Sequence, residues 1–220
     1  MRPVIVLRPE PGASETVARA RSRGLTAISI PLFEIERVNW RAPDPGEYDG
    51  LLLTSANAVR HAGDQLRNLG ILKVYAVGTA TADAARQSGL DVAAVGEAGV
   101  EKLLASIDGD LRLLHLCGED RTIVHARQRI TPVVVYRARQ TGAPGLDRVT
   151  GGVALVHSPR AGRRLAELVE HRAPVAIAAI SAAAAEAAGT GWEVVEIAER
   201  PTDDALLALA ARLCDKPPPE

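Results

Sequence analysis

Four hydroxyl residues, three arginines and a tyrosine carry most of the chemistry that this chain's residue types support. Ser55, Thr79, Thr81 and Ser158 each sit where a short apolar run gives way to a helical pattern. The first N–H groups of a helix have no partner inside it, and the helix dipole favours negative charge there. Such turns hold carboxylates or phosphates. They equally suit ordinary capping, in which the hydroxyl accepts one of those N–H groups while others stay free, so the two uses are compatible. Arg8 ends the first apolar run, at the carboxyl edge where open α/β sheets take ligands. Arg160 lies two residues beyond Ser158, and Arg121 follows Cys117-Gly118-Glu119-Asp120. A guanidinium can grip a carboxylate with two parallel hydrogen bonds, or simply sit on the surface. Tyr136 is one of three tyrosines, with Tyr48 and Tyr75. Its phenol can donate a hydrogen bond or a proton, and its ring can equally serve as packing.

Other chemistries find less support. Asp203 and Asp204 look like a carboxylate pair but fall in a helix's first turn, where acids are favoured electrostatically. His61, His115, His125, His157 and His171 show no ligand spacing, so no metal is expected. No Gly-x-Gly-x-x-Gly or Walker loop supports nucleotide binding, and Ser158 lacks the glycines of a nucleophile elbow. Cys117 and Cys214 form no disulfide framework and read as reduced structural thiols. With 26 basic and 27 acidic residues, bulk charge gives no reason to expect a nucleic-acid partner. The N-terminus enters a strand without a leader pattern, and no apolar run is long enough to span a bilayer. A cytoplasmic protein with no membrane partner is expected.

The elements that must position these residues are short apolar runs alternating with helical patterns, which reads as α/β with parallel sheets. Strands are expected at Val4–Leu7, Ala27–Ile30, Leu51–Thr54, Val74–Val77, Val92–Val95, Leu111–Leu116, Val153–Val156, Val175–Ile180 and Val194–Ile197. Ser14, Ser55, Ser158 and Thr202 are expected to cap helices, Ser158 with Pro159 at the first helical position. An internal repeat organises the whole. Ser55 recurs as Ser158, 103 residues on, and Ala76-Val77-Gly78 recurs as Ala179-Ile180-Ser181 at the same offset. Val100, Leu103, Leu104 and Ile107 are echoed by Leu206, Leu209, Ala210 and Leu213, both sets at helical spacing. A unit of about 100 residues is a domain and not a solenoid module. Two similar domains make a cleft, where ligands usually bind. Two extended segments, Leu32–Val38 and Val133–Arg139, break the alternation. If they pair, residues 1–32 and 142–220 form one discontinuous domain. Residues 40–132 form the inserted one, and 33–39 with 133–141 are the paired connector strands. A simple two-in-a-row split is the alternative.

In order and spacing, several of these marks resemble uroporphyrinogen-III synthases over nearly the whole chain. They are Arg8-Pro9, Leu53-Thr54-Ser55-Ala56-Asn57-Ala58-Val59, Ala76-Val77-Gly78-Thr79-Ala80-Thr81-Ala82, Cys117-Gly118-Glu119-Asp120-Arg121, Val135-Tyr136-Arg137, His157-Ser158-Pro159-Arg160-Ala161 and Glu199-Arg200-Pro201-Thr202. The resemblance implies two similar parallel-sheet α/β domains joined by a two-stranded β connector. It implies a cofactor-free monomeric lyase that closes hydroxymethylbilane to uroporphyrinogen III, inverting the last pyrrole ring. By the same resemblance Tyr136 is the catalytic candidate, assisting departure of the substrate's hydroxyl. Arg8, Ser55, Thr79, Thr81, Ser158 and Arg160 are the substrate-binding candidates. One loop departs from the family pattern. Ser181-Ala182-Ala183-Ala184 stands where relatives resemble Gly-Pro-Thr-Thr, which leaves open a weak or inactive anion-binding or regulatory protein of the same fold.

Overall fold

The computed structural model describes residues 2–97, 99–121, 124, 126–142 and 145–215. In chain order the first elements are β1 (Val4–Val6), α1 (Gly12–Ser22), β2 (Ala27–Ser29), β3 (Phe33–Arg37), β4 (Gly50–Leu53), α2 (Ala56–Ala62), β5 (Lys73–Val77), α3 (Thr79–Gln87) and β6 (Val92–Gly96). Next come α4 (Val100–Ala105), β7 (Arg112–Gly118), β8 (Arg129–Gln140), β9 (Val153–Val156), α5 (Pro159–Leu168), β10 (Ala176–Ala179), α6 (Ala182–Ala188), β11 (Val194–Ile197) and α7 (Asp203–Cys214). They divide into two compact units, Met1–Glu34 with Gln140–Glu220, and Ile35–Arg139. No helix among the described residues is long and apolar enough to cross a membrane.

The discontinuous unit holds a five-stranded sheet in the order β11-β10-β9-β1-β2, parallel throughout. Its central strands are buried at every position, as parallel strands covered on both faces must be. Val4, Val6, Val153, Leu155, Ala176 and Ala178 share one face with Val17 and Ala20 of α1 and Leu206, Leu209 and Leu213 of α7. Ile5, Ala154 and Ile177, between them in each strand, are equally buried. The helical spacing at 206–213 is therefore the apolar stripe of α7 against the sheet. Helices α5 and α6 come so close at Gly162 that an added Cβ would lie 2.8 Å from the Ala184 carbonyl oxygen and 2.9 Å from the Ala188 nitrogen. Alanine favours a helix over glycine by about 1 kcal/mol, whereas overpacking against backbone that cannot step aside costs about 1–3 kcal/mol. Gly162→Ala is thus expected to lower the melting temperature; a rise would show that the helices need no such approach.

The other unit holds a six-stranded sheet in the order β3-β8-β7-β4-β5-β6. Strands β4 to β8 are parallel. Hydrogen bonds from Val38 N to Val135 O and from Thr141 N to Leu32 O run β3 antiparallel to β8. Glu36 pairs there with both Arg137 and Arg139. Leu51, Leu53, Leu114 and Leu116 face α2 and α3, while Leu52 and Leu113 face Leu103 and Leu104 of α4. The sequence repeat is the block β4-β5-β6 recurring as β9-β10-β11. β1 and β7 then fill the equivalent place beside each block, although one precedes its block in the chain and the other follows it.

Three of the four expected caps form. Ser55 accepts from Asn57 N, Ser158 from Ala161 N and Thr202 from Ala205 N. Ser14 does not cap. Helix α1 starts three residues earlier than such a cap would place it, after Pro11, and Ser14 lies inside it, its N–H and hydroxyl both donating to the Glu10 carboxylate. An acid one turn upstream thus takes the Ser14 hydroxyl as a donor, and the helix is already under way before Ser14.

Candidate functional site

Sheets that wind outward in both directions from a central pair leave a crevice at the carboxyl ends of that pair. In the Ile35–Arg139 unit the pair is β4 and β7, and a cavity of about 330 Å³ opens there. Thr54 and Ser55 line it from the end of β4, and His115, Cys117 and Gly118 from β7. Asp120, Arg121 and Val124 come from the loop beyond, and Tyr136 from β8. Of the candidates read from sequence, Ser55, Arg121 and Tyr136 are brought together here. Thr79 and Thr81 belong to the same unit, in the first turn of α3. Gly78, at φ 80°, is the residue that turns β5 into that helix, a backbone few side-chain-bearing residues tolerate. Thr79 is exposed and Thr81 buried. The Tyr136 ring packs on the apolar cluster of Leu114, Leu116 and Val135, and meets the His61 ring at a centroid distance of 6.2 Å. Burial, then the charges of Arg60 and Arg37, push the His61 imidazole below its ordinary value.

His115 escaped the sequence reading. It is 3% exposed, and its Nε2 shares a 2.9 Å hydrogen bond with Thr54 Oγ1. Burial, with a smaller contribution from the Arg121 charge, pulls it down to about 4 from 6.5. Burial also pushes the Cys117 thiol up. Near neutral pH the β7 wall of the cavity is therefore an uncharged imidazole and an uncharged thiol, while the loop beyond brings both Asp120 and Arg121 to the lining. A histidine whose value is lowered on folding takes up its proton more readily when unfolded. Its contribution to stability is full above pH 6.5 and is lost as pH falls toward about 4. His115→Gln, which cannot titrate, should flatten that part of the stability curve by up to about 1.4 kcal/mol per pH unit. Denaturant titrations across the window measure it, and an unchanged slope would mean that His115 takes up its proton as readily in the folded protein as in the unfolded chain.

In the discontinuous unit the central pair is β1 and β9. Arg8 follows β1, and His157 and Ser158 follow β9. Arg8 and His157 meet around a residue the sequence had assigned only to a helix turn, Asp203. Its carboxylate accepts hydrogen bonds from Thr16 Oγ1 at 3.0 Å and His157 Nε2 at 2.7 Å, pairs with Arg19, and lies 3.6 Å from Arg8 Nη1. Burial alone would raise the Asp203 carboxyl. The hydrogen bond and charge of His157, then Arg19 and Thr16, reverse this and hold it below the ordinary carboxylate value. Arg8 lies across the first turn of α1, where the absent side chain of Gly12 leaves room for its guanidinium. Arg160 stacks on the Phe33 ring, 4.4 Å from its centroid. Ser181 caps α6 by accepting from Ala184 N, so this loop keeps a working hydroxyl despite its three alanines.

Among the described residues no cluster of His, Cys, Asp and Glu could hold a metal ion, and His125 lies outside those residues. Strand order exposed these two sites, because β4 with β7 and β1 with β9 are far apart in sequence. A histidine inside the apolar run Leu113–Leu116 was the one available signal for His115.

The model of the family described as uroporphyrinogen-III synthase HemD matches residues 14–208. A curated uroporphyrinogen-III synthase of Chlorobaculum parvum is 31% identical over 118 residues, 49% of this chain and 48% of that one. The match thus spans about half the length of the curated relative. The crystal structure of uroporphyrinogen-III synthetase from Helicobacter pylori superposes with a TM-score of 0.68 at 18% identity, covering 97% of this chain and 100% of that one. A mutant uroporphyrinogen III synthase from Thermus thermophilus gives 0.54 at 19% identity, over 98% and 100%. At such identities the two structures speak for the fold.

Proposed function

The chain belongs to the uroporphyrinogen-III synthase family, and we propose that it cyclises hydroxymethylbilane to uroporphyrinogen III, with inversion of the last pyrrole ring and loss of water. The reading takes the protein to be a cytoplasmic monomer that needs no cofactor. The observation that carries it is the placement of Tyr136 beside Ser55 and Arg121 in one cavity at the β4/β7 crevice.

The Tyr136 phenol donates its proton to the terminal hydroxyl as the carbon–oxygen bond breaks, so that the group leaves as water. Water does not depart as an anion, which lowers the barrier to forming the electrophilic carbon that the ring closure consumes. Arg121 holds a carboxylate of the substrate, and the uncharged His115 and Cys117 on β7 add no charge that would compete with it. Arg8, Ser158 and Arg160 supply a second set of donors in the other unit, with Arg8 aimed by Asp203. Ser55, Thr79 and Thr81 mark the turns at α2 and α3 that supply further donors. Most of the specificity comes from holding the chain so that closure occurs at the rearranged position, a matter of geometry and fixed dipoles.

The test is an assay with freshly prepared hydroxymethylbilane in which the type I and type III products are separated. Catalysed formation of the type III isomer supports the assignment. Type I product alone, at the rate of the blank, sinks it.

A further inference from the structure

Tyr136 sits at an irregularity in its strand. From Arg129 to Val134, β8 keeps register with Arg112 to Cys117 of β7, but Gly118 pairs with Tyr136. Val135 is the extra residue of a β-bulge, a device that re-aims side chains. Val133 and Val135 pack on the cluster of Leu114 and Leu116. In a regular strand successive side chains point to opposite faces, so Tyr136 would turn away from that cluster. The bulge instead brings its ring onto the same cluster and into the cavity lining.

Gly118 supplies the space the ring needs. A Cβ at this position would lie 2.7 Å from Cε2 and Cζ of Tyr136 and 3.0 Å from its hydroxyl oxygen. Carbon atoms in good contact stay about 3.5–4.0 Å apart. Gly118 is the last residue of β7 and is not among the glycines of positive φ. What it provides is therefore room and not backbone freedom. The atoms in the way belong to the far end of one side chain, so an added methyl would displace the ring before it strained the strand.

We propose that Gly118 is a positioning residue for the reaction: its bare α-carbon, with the bulge at Val135, fixes where the Tyr136 phenol lies in the cavity. This rests on the reading of Tyr136 as the group that assists hydroxyl departure.

The protein has three tyrosines, so labelling with 3-fluorotyrosine gives three fluorine resonances, and Tyr136→Phe identifies one of them. Gly118→Ala should move that resonance while leaving those of Tyr48 and Tyr75 in place. It should also lower kcat roughly ten- to a hundredfold, the effect of a misplaced group, with KM nearly unchanged. In a Tyr136→Ala background, where no ring is in the way, Gly118→Ala should no longer destabilise the protein. An unmoved Tyr136 resonance with wild-type turnover overturns the proposal. So does a moved resonance with full turnover when Tyr136→Phe itself is slow. Full turnover in Tyr136→Phe removes the reading of Tyr136 instead, and the resonance shift then decides separately whether Gly118 places the ring. If Gly118→Ala fails to fold, rescue of folding by adding Tyr136→Ala supports the contact, and a double variant that is equally unstable refutes it.

Discussion

Tyr136→Phe is expected to lower turnover of hydroxymethylbilane roughly ten- to a hundredfold while leaving folding and product affinity close to wild type. The substitution removes one oxygen and keeps the ring on Leu114, Leu116 and Val135, so the packing loss is small. What is lost is a hydrogen bond to a group that gains charge as it leaves, typically about 1.5–3 kcal/mol, which is the stated range in rate. A ring that served only as packing would show the opposite pattern: Tyr136→Phe silent, and Tyr136→Ala unstable. Thermal melts alongside single-turnover kinetics separate the two. Wild-type turnover in the Phe variant would leave the fixed donors and Arg121 as the source of catalysis.

Asp203→Ala is expected to lose about 2–4 kcal/mol of stability, because it strips a mostly buried carboxylate from partners that cannot all rehydrate. Thr16 is fully buried and the His157 side chain is 10% exposed, so both would keep unsatisfied polar atoms. His157 Nδ1 already makes no hydrogen bond among the described residues, so the ring would lose its remaining bond. Arg8 and Arg19 are a third and nearly half exposed, and water would compensate them in part. Asp204→Ala, one residue on, is the control. That carboxylate is 69% exposed and pairs with Arg23, itself more than a third exposed, so its loss should cost less than about 1 kcal/mol. The acid limb carries the same signature. Because the Asp203 carboxyl is held low, its contribution is present above the ordinary 3.8 and is lost as pH falls through the lowered folded value. Equal effects of the two substitutions in urea unfolding would show that the buried network carries no weight.

Asp203 and Asp204 also show where sequence reasoning stops. Both are acids in the first turn of α7, and local rules treat them alike. The one that matters is chosen by α1 and β9, which bring Thr16, Arg19 and His157 to it from up to 187 residues away. Tyr136 shows a second limit. Alternation along Val133-Val134-Val135-Tyr136 gives the wrong face, because a bulge depends on pairing with β7 and leaves no mark in one strand's own pattern.

The sequence by itself determined the α/β class with parallel sheets, the helix caps at Ser55, Ser158 and Thr202, and the family. These depend on local periodicity, on hydroxyls next to the N–H groups they cap, and on a motif order that is linear in the chain. Only the tertiary structure decided that β1 and β7 take equivalent places beside the repeated blocks, and so where each crevice lies. It alone joined Thr54 to His115, Asp203 to His157 and Gly118 to Tyr136. Those contacts arise from strand order and packing, which sum weak preferences across the whole chain, and no single segment encodes them.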